Sequence, residues 1–393
     1  MKTKALNNIR YLQVIRASTW FSVSLAVLLP FYQSFGLTVA DFFLIQSIFS
    51  LAVVVFEFPT GYFADRIGHR EALIAGSFFG CISWILHALS SGFYTLLIAE
   101  IILALAIALR SGADSALLYE SMAVAEVSQS YKHTENKMNM ISATSEAAGA
   151  LLGGFLAAVS LVLPFWFRVG VECISCVAAY KLTPIRKVHK ERAHSVFKDI
   201  LFILRYTATH RQLGATILFC AVTGATTLTS VWFIQPYLGT AQVDVYWYGI
   251  VWGALNASLV FFAWYAERIE HALGEYRTLL ILTIAPICAF ISLSILPATL
   301  LAVPLFLTFY FVRSLNSSFG RAYIQEHALD DARASILSVQ SLLFRLIFAL
   351  CGPVVGYIAT AQSVSNALIV SGVFFATLSI AALYIFKHAK DTL

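Results

Sequence analysis

The sequence is short of charge: Asp, Glu, Lys and Arg make up 12% of its 393 residues, while 59% are hydrophobic. Soluble domains carry roughly 25% charged and about 45–50% apolar residues. A chain this poor in polar side chains cannot cover a water-soluble globule, so its solvent is lipid. Other absences narrow the chemistry. No Walker A pattern occurs, which leaves ATP-driven transport within this chain without support. No nucleophile elbow or zinc-ligand spacing occurs, and Ser, His and Asp stand at no spacing that suggests an enzyme. Neither a metal, a cofactor nor a nucleic-acid partner is expected. The six cysteines, Cys81, Cys173, Cys176, Cys220, Cys288 and Cys351, all fall within apolar runs. Cys173 and Cys176 have C-x-x-C spacing, but on an apolar helix with no histidine close by, so they read as small buried residues.

Long apolar runs are what the sequence has instead. A bilayer core about 30 Å thick needs roughly 20 helical residues. Twelve such runs are expected, at 11–35, 39–63, 72–91, 93–118, 138–161, 164–183, 212–236, 245–266, 277–297, 300–321, 334–360 and 364–386. They are continuous rather than alternating, which predicts helices and not barrel strands. The first is too long for a cleavable signal, contains Arg16 and lacks a small-residue cleavage pattern, so it is expected to stay as a span. With the loops numbered alternately, 21 of the 26 Lys and Arg fall on the side of the N-terminus. The other five, Arg16, Arg110, Arg168, Arg313 and Arg345, lie inside runs, so the opposite loops hold none. The positive-inside rule then expects a multi-pass protein of the cytoplasmic (inner) membrane with both termini in the cytoplasm and an even number of spans. The net charge of +5 is a topology signal.

The widest gap between runs, 184–211, opens basic and then sets Phe197, Ile200, Leu201 and Leu204 at helical spacing among Lys198, Asp199 and Arg205. It is either an amphipathic helix on the cytoplasmic leaflet or a soluble tether with a short helix. Either way it links an N-terminal bundle, 1–183, to a C-terminal one, 212–393. The halves repeat. Gly149-Ala150-Leu151-Leu152-Gly153-Gly154 matches Gly352-Pro353-Val354-Val355-Gly356-Tyr357 at an offset of 203, and Arg110-Ser111 matches Arg313-Ser314 at the same offset. Ala64-Asp65-Arg66-Ile67 echoes Ala266-Glu267-Arg268-Ile269 at 202. A parallel six-plus-six repeat puts a pathway between the halves.

Between the second and third runs stands Gly61-x-x-x-Asp65-Arg66-x-Gly68-x-Arg70. Its glycines permit close helix approach and a tight turn. Asp65 suits a helix N-terminus, and Arg66 and Arg70 can pair with Asp114 or Glu120 at the end of the fourth span. This motif, its place among twelve spans, the long central gap and the repeat together resemble the major facilitator superfamily. That resemblance implies an all-α membrane protein, twelve transmembrane helices in two six-helix pseudo-repeats around a central cavity, working as a monomer by alternating access. It implies further that the motif is a latch, with Asp65 docking near Ala334 to Ser338 and favouring one of two states by about 1–3 kcal/mol. Gly149-Ala150-x-x-Gly153-Gly154 is similar to the fifth-span motif of drug:proton antiporters, with Ala150 in place of its proline and Ser145 in place of a glycine. Close packing alone would equally explain Gly149, Gly153, Gly352 and Gly356.

A charge at mid-membrane costs about 2.5–3.5 kcal/mol on insertion scales, so the five arginines should face protein or water. In the fold that the resemblance implies, spans one, four, seven and ten line the cavity. They carry Arg16 and Trp20, Arg110, then Thr226, Thr227 and Trp232, then Arg313 and Asn316, while Arg345 lies on the eleventh. Arg16, Arg110 and Arg313 either contact substrate or pair structurally, Arg110 with Asp114 at i,i+4. Arg168 and Glu172 form a second i,i+4 pair, expected on a peripheral helix. Glu146, Asp114, Glu57 and Glu100 are the candidate proton carriers, since a buried acid can take a proton on one side and release it on the other. Glu57 is alternatively a partner of the motif cations. His69 and His87 offer relay chemistry or purely structural bonds.

Three functions follow. The first is proton-coupled efflux of a small organic solute, the expectation that the resemblance brings. The second is transport of an organic anion, a polycarboxylate or carboxylate siderophore, because arginines on cavity helices could bind carboxylates bidentately. The third is a non-transporting sensor or scaffold on a transporter fold.

Overall fold

The computed structural model describes residues 2–185, 210–327 and 333–391, and every regular element among them is helical. Eleven helical stretches are long and apolar enough to cross a membrane. One of them, Val245–Ile295, has 51 residues. At 1.5 Å per residue it would be about 77 Å long, more than twice a bilayer core. It is interrupted at Gly274, whose φ of 73° and ψ of 169° are not helical. Its two parts are the eighth and ninth spans, which brings the total to twelve.

Among the described residues two spans are broken, the first and the fourth, and hydropathy gives no warning of it. The first helix, Lys2–Trp20, ends where residues 21–24 unwind; a 3-10 turn, Leu25–Val27, and a short helix, Leu28–Gln33, complete the span. The fourth span is Phe93–Arg110 followed by Ala113–Val124, with Gly112 between them at a φ of 74°. Uninterrupted helices form the second span, Val39–Ile67, the third, His69–Ala88, the fifth, Tyr131–Val159, and the sixth, Leu163–Tyr180. The seventh is Arg211–Thr240. The tenth opens with a 3-10 turn, Leu300–Phe306, and continues as Leu307–His327; Arg333–Ala361 and Val364–Asp391 close the chain. The amphipathic segment expected around Phe197 to Leu204 lies outside the described residues.

The second apolar run is expected to end near residue 63, but the second helix runs through Pro59 and on to Ile67. The turn is confined to Gly68, at a φ of 130°, and the third helix begins at His69. A helix satisfies its own backbone whatever its side chains are, so the apolar run can end before the helix does.

Two compact units make up the structure. One contains the described residues within Met1–Leu37, Ile48–Val196 and Val245–Ala254; the other contains those within Thr38–Ser47, Phe197–Asp244 and Leu255–Leu393. The opening turns of the second and eighth spans are thus exchanged between the sequence halves, and glycines explain where they settle. In the first unit a Cβ on Gly154 would lie 2.7 Å from the Tyr246 carbonyl oxygen and 3.0 Å from Gly249 Cα. In the second, a Cβ on Gly356 would lie 2.6 Å from Phe43 Cβ and 3.1 Å from Ala40 Cα, and one on Gly352 would strike Ser47 Oγ. Fifth packs on eighth as eleventh packs on second, so the repeat read in the sequence is a repeat in the packing.

Candidate functional site

Ionisable side chains gather in the first unit, in three clusters joined by the broken first span. The unwound backbone at 21–24 needs room, and the fifth span supplies it. A Cβ on Gly149 would stand 2.7 Å from the Ser22 nitrogen, and one on Gly153 would collide with the Val23 carbonyl oxygen. Unwinding also strands the last carbonyls of Lys2–Trp20, which have no intrahelical donor. Arg168 supplies donors: Nη1 reaches the Ser18 carbonyl at 2.6 Å and Nη2 the Thr19 carbonyl at 3.1 Å.

The middle cluster is built on that contact. Glu172, with 0% of its surface exposed, sits between Arg110 at 8% and Arg168 at 3%. Arg110 Nη2 donates to Glu172 Oε1, and Arg168 Nη2 lies 3.1 Å from Oε2. Arg110 also donates to Thr19 Oγ1 at 3.2 Å and to the Gly76 carbonyl at 3.0 Å. The slot for this ion pair is cut by glycines of the third span. A Cβ on Gly80 would lie 2.8 Å from both Arg110 Nη2 and Glu172 Oε1, and one on Gly76 would lie 2.8 Å from Arg110 Cγ. Trp84 covers the cluster, its ring 5.1 Å from the Arg168 guanidinium carbon.

Toward the end of the unit that bears the N-terminus, Arg16 is flanked by two acids. Its Nε is 2.8 Å from Asp114 Oδ2 and its Nη2 is 3.5 Å from Glu135 Oε1. Ser115 joins them, donating from Oγ to Glu135 at 3.0 Å and from its backbone N–H to Asp114 Oδ1 at 2.8 Å. Toward the other end lies a third group, without arginine: Tyr32 donates to Glu100 Oε1 at 2.9 Å, and His87 Nε2 is 3.5 Å from the same oxygen.

The expected Arg110–Asp114 pair does not form. The i,i+4 geometry it requires is destroyed by the break at Ser111 and Gly112, which turns Arg110 toward Glu172 and Asp114 toward Arg16. Arg168 and Glu172 do pair at i,i+4, though both are buried rather than peripheral. The motif cations also take other partners. Arg70 donates from Nε to the Leu182 carbonyl at 2.6 Å and from Nη2 to the Tyr180 carbonyl at 3.2 Å, capping the end of the sixth helix, and pairs with Glu71 at 3.1 Å. Arg66 lies over the Tyr62 ring at 5.0 Å. Glu120 meets His69, at 3.1 Å from Nδ1. Gly61 is exposed, and a Cβ there would meet nothing within 4 Å among the described residues, so it serves no close approach. The side chain of Asp65 lies outside the described residues.

Glu57 and Glu146 are half-buried on the second and fifth spans, and Trp20 ends the first helix exposed. In the second unit Thr226 and Thr227 are buried, and their hydroxyls return to their own helix, donating to the Val222 carbonyl at 2.8 Å and the Gly224 carbonyl at 3.0 Å. Trp232 stands edge-on to Phe42, centroids 5.6 Å apart. Asn316 is buried and donates to the Cys220 carbonyl at 3.1 Å. Arg345 lies over Phe344 at 5.4 Å. Arg313, the repeat mate of Arg110, is exposed and has no ion-pair partner among the described residues. Sequence reading missed Glu135, Tyr32 as the partner of Glu100, and the glycine slot of Gly76 and Gly80. The one available signal was that a charge inside an apolar run needs a partner.

Comparison with known proteins gives one reading. Residues 12–350 match the family described as the Major Facilitator Superfamily. No curated protein matches the sequence closely enough to count as a relative. A mutant of the nucleoside transporter NupG superposes with a TM-score of 0.78 at 13% identity, covering 98% of this chain and 99% of that one. A bacterial homologue of the human lysosomal transporter Spinster, inward-facing and unoccupied, gives 0.78 at 16% identity, covering 100% and 98%. A POT family transporter in complex with a thioalcohol-conjugated peptide gives 0.73 at 12%, covering 97% and 96%. At these identities the likeness is one of fold. The family match over most of the chain, with twelve spans and the packing repeat, identifies the protein as a member of the major facilitator superfamily, an integral multi-pass membrane transporter and not an enzyme.

Proposed function

We propose that the protein is a secondary transporter that exports a small organic solute in exchange for protons, with both termini on the cytoplasmic side of the inner membrane. The observation that carries the proton reading is the Arg16 cluster. One guanidinium stands between two carboxylates, Asp114 and Glu135, on the first, fourth and fifth spans. Two acids sharing one cation hold a surplus negative charge. One proton can enter without leaving the arginine unpaired, and its arrival changes which helix Arg16 holds. Alternating access then links protonation to the solute: an empty, deprotonated site and a loaded, protonated one favour different states.

Two of the three cavity arginines support this reading over the anion one, because Arg16 and Arg110 already have carboxylate partners. Arg313 favours a second reading, transport of an organic carboxylate. It is exposed, unpaired among the described residues, and on the tenth span. The test is a ligand-stabilisation screen of lipophilic cations against di- and tricarboxylates, each hit repeated in Arg16→Ala and Arg313→Ala. Hits are then taken into proteoliposomes that enclose a pH dye. The leading reading expects solute-dependent alkalinisation or acidification that follows an imposed pH gradient and is lost in Asp114→Asn. Stabilisation by carboxylates that vanishes only in Arg313→Ala, without proton movement, would replace it by the second reading.

A further inference from the structure

His87, Glu100 and Tyr32 lie on three spans, the third, the fourth and the outer piece of the broken first, and all three are buried. Their hydrogen bonds fix where protons can be. His87 Nδ1 lies 3.0 Å from the carbonyl oxygen of Ser83. A carbonyl only accepts, so Nδ1 carries a hydrogen. In a neutral ring that leaves Nε2 as a bare lone pair, and Nε2 faces Glu100 Oε1 at 3.5 Å. Nε2 has no hydrogen-bond donor of its own among the described residues. If Glu100 is ionised and His87 neutral, a lone pair and a carboxylate oxygen are held face to face in a buried site. One proton, on either atom, converts that opposition into a hydrogen bond.

Tyr32 does not supply it, since its hydroxyl hydrogen is already donated to Glu100 Oε1 at 2.9 Å. The surroundings add charge of both signs at a distance. Phe165 stacks on the His87 imidazole at 5.9 Å and Trp84 lies 5.0 Å away. Behind Trp84 are Arg168 and Glu172 of the sixth helix, and Arg110 closes the far end of the helix that bears Glu100.

We propose that His87 and Glu100 form a one-proton binding site, with Tyr32 as the positioning residue, and that its proton is a second one coupled to transport, beside that of the Arg16 cluster. Its role in transport rests on the proton-coupled reading above; the binding itself does not. With the proton in place the outer piece of the first span is tied through Glu100 to the third and fourth spans. Without it the His87–Glu100 contact is repulsive and the tie loosens, which makes the site a proton-operated fastening across the break in the first span. The step is a simple association: the proton joins the Nε2 or Oε1 lone pair and leaves the same way, with no other bond made or broken.

The test uses the full-length protein in nanodiscs. Protons released on a rapid upward pH jump are counted with an indicator dye for the wild type, Glu100→Gln and His87→Gln, and the His87 nitrogens are followed by NMR on 15N-histidine protein. The side-chain amide introduced by Glu100→Gln can donate to Nε2 and so imitates the protonated state. The expected result is about one proton fewer per molecule in each variant, with Nδ1 keeping its hydrogen throughout the wild-type titration while Nε2 changes. Release equal to the wild type in both variants, or a ring that bears its hydrogen on Nε2 and not Nδ1, would overturn the site. Should one variant fail to fold, the other and the NMR titration decide. Proteoliposome flux separates the two ideas. A site that titrates in a protein with no solute-linked proton flux refutes the proton-coupled reading and leaves the site standing. A wild-type number of protons moved per solute in Glu100→Gln refutes its role as a carried proton.

Discussion

Replacing Glu172 by glutamine would remove the single anion between two buried guanidiniums while keeping the shape of the side chain. Glu172 is fully buried, and both of its oxygens serve arginines. The amide retains one acceptor, so one arginine loses its partner and both lose the compensating charge. Breaking a buried pair from one side costs about 3–5 kcal/mol. In a domain of 150–250 residues, 1 kcal/mol moves the midpoint by roughly 2–4 °C. The product is a fall in Tm of about 6–20 °C, read by size-exclusion retention after heating in detergent. The damage has a second route. Arg168 also satisfies the Ser18 and Thr19 carbonyls, and a guanidinium freed from Glu172 shifts in its slot. The decisive comparison is Glu172→Leu against Glu172→Leu with Arg110→Leu. The single variant leaves two uncompensated cations and the double leaves one, so the double should be the milder of the two. A fall of less than 2 °C in Glu172→Gln, or a double variant as unstable as the sum of its parts, would refute the buried-pair reasoning.

Gly153→Ala should destabilise by about 1–3 kcal/mol, because its Cβ would collide with the Val23 carbonyl, whereas Gly170→Ala, with open space around it, should be neutral or gain stability; thermal midpoints of the two separate close packing from general helix propensity. Gly112→Ala puts a side chain on a left-handed residue at a φ of 74° and should cost about 1–2 kcal/mol in the same assay. Cys81 and Cys173 have sulfurs 3.7 Å apart on the third and sixth helices, so a mild copper-phenanthroline oxidant should cross-link them within one chain. Mass spectrometry of the alkylated digest checks this, and two thiols that remain fully alkylatable would contradict the packing of those helices around Gly80.

Much of the fold was legible because lipid imposes coarse rules. Run length gave twelve spans, and the offset of 203 between Gly149 and Gly352 marked a repeat that the packing reproduces. Breaks in spans were not legible. Residues 21–24 and 111–112 sit inside apolar sequence, and an unwound turn changes hydrogen bonding without changing hydropathy. What permits the first break lies far away in sequence, in Gly149, Gly153 and Arg168. The partners of buried charges were hidden for the same reason. Arg110 and Asp114 share an apparent helix face only if the helix between them is intact; Gly112 breaks it, and each finds its partner on another helix. The polar residues that follow the second apolar run do not end its helix; only Gly68 does.

The repeated arginine shows how the halves have diverged. Arg110 and Arg313 occupy equivalent places in the repeat, yet the fourth span breaks after its arginine while the tenth continues unbroken to His327. The break gives Arg110 its contacts with Thr19, Gly76 and Glu172 and removes it from solvent. Arg313 keeps its helix and its exposure. The same duplicated residue is therefore a fixed structural cation in one unit and an available one in the other. An exporter of cations has no use for an available guanidinium within a span, whereas a carrier of zwitterionic or acidic solutes does. Compounds that bear a carboxylate beside an apolar body are therefore expected to lose their stabilising effect in Arg313→Ala and to keep it in Arg16→Ala, the outcome that would join the two proposed readings.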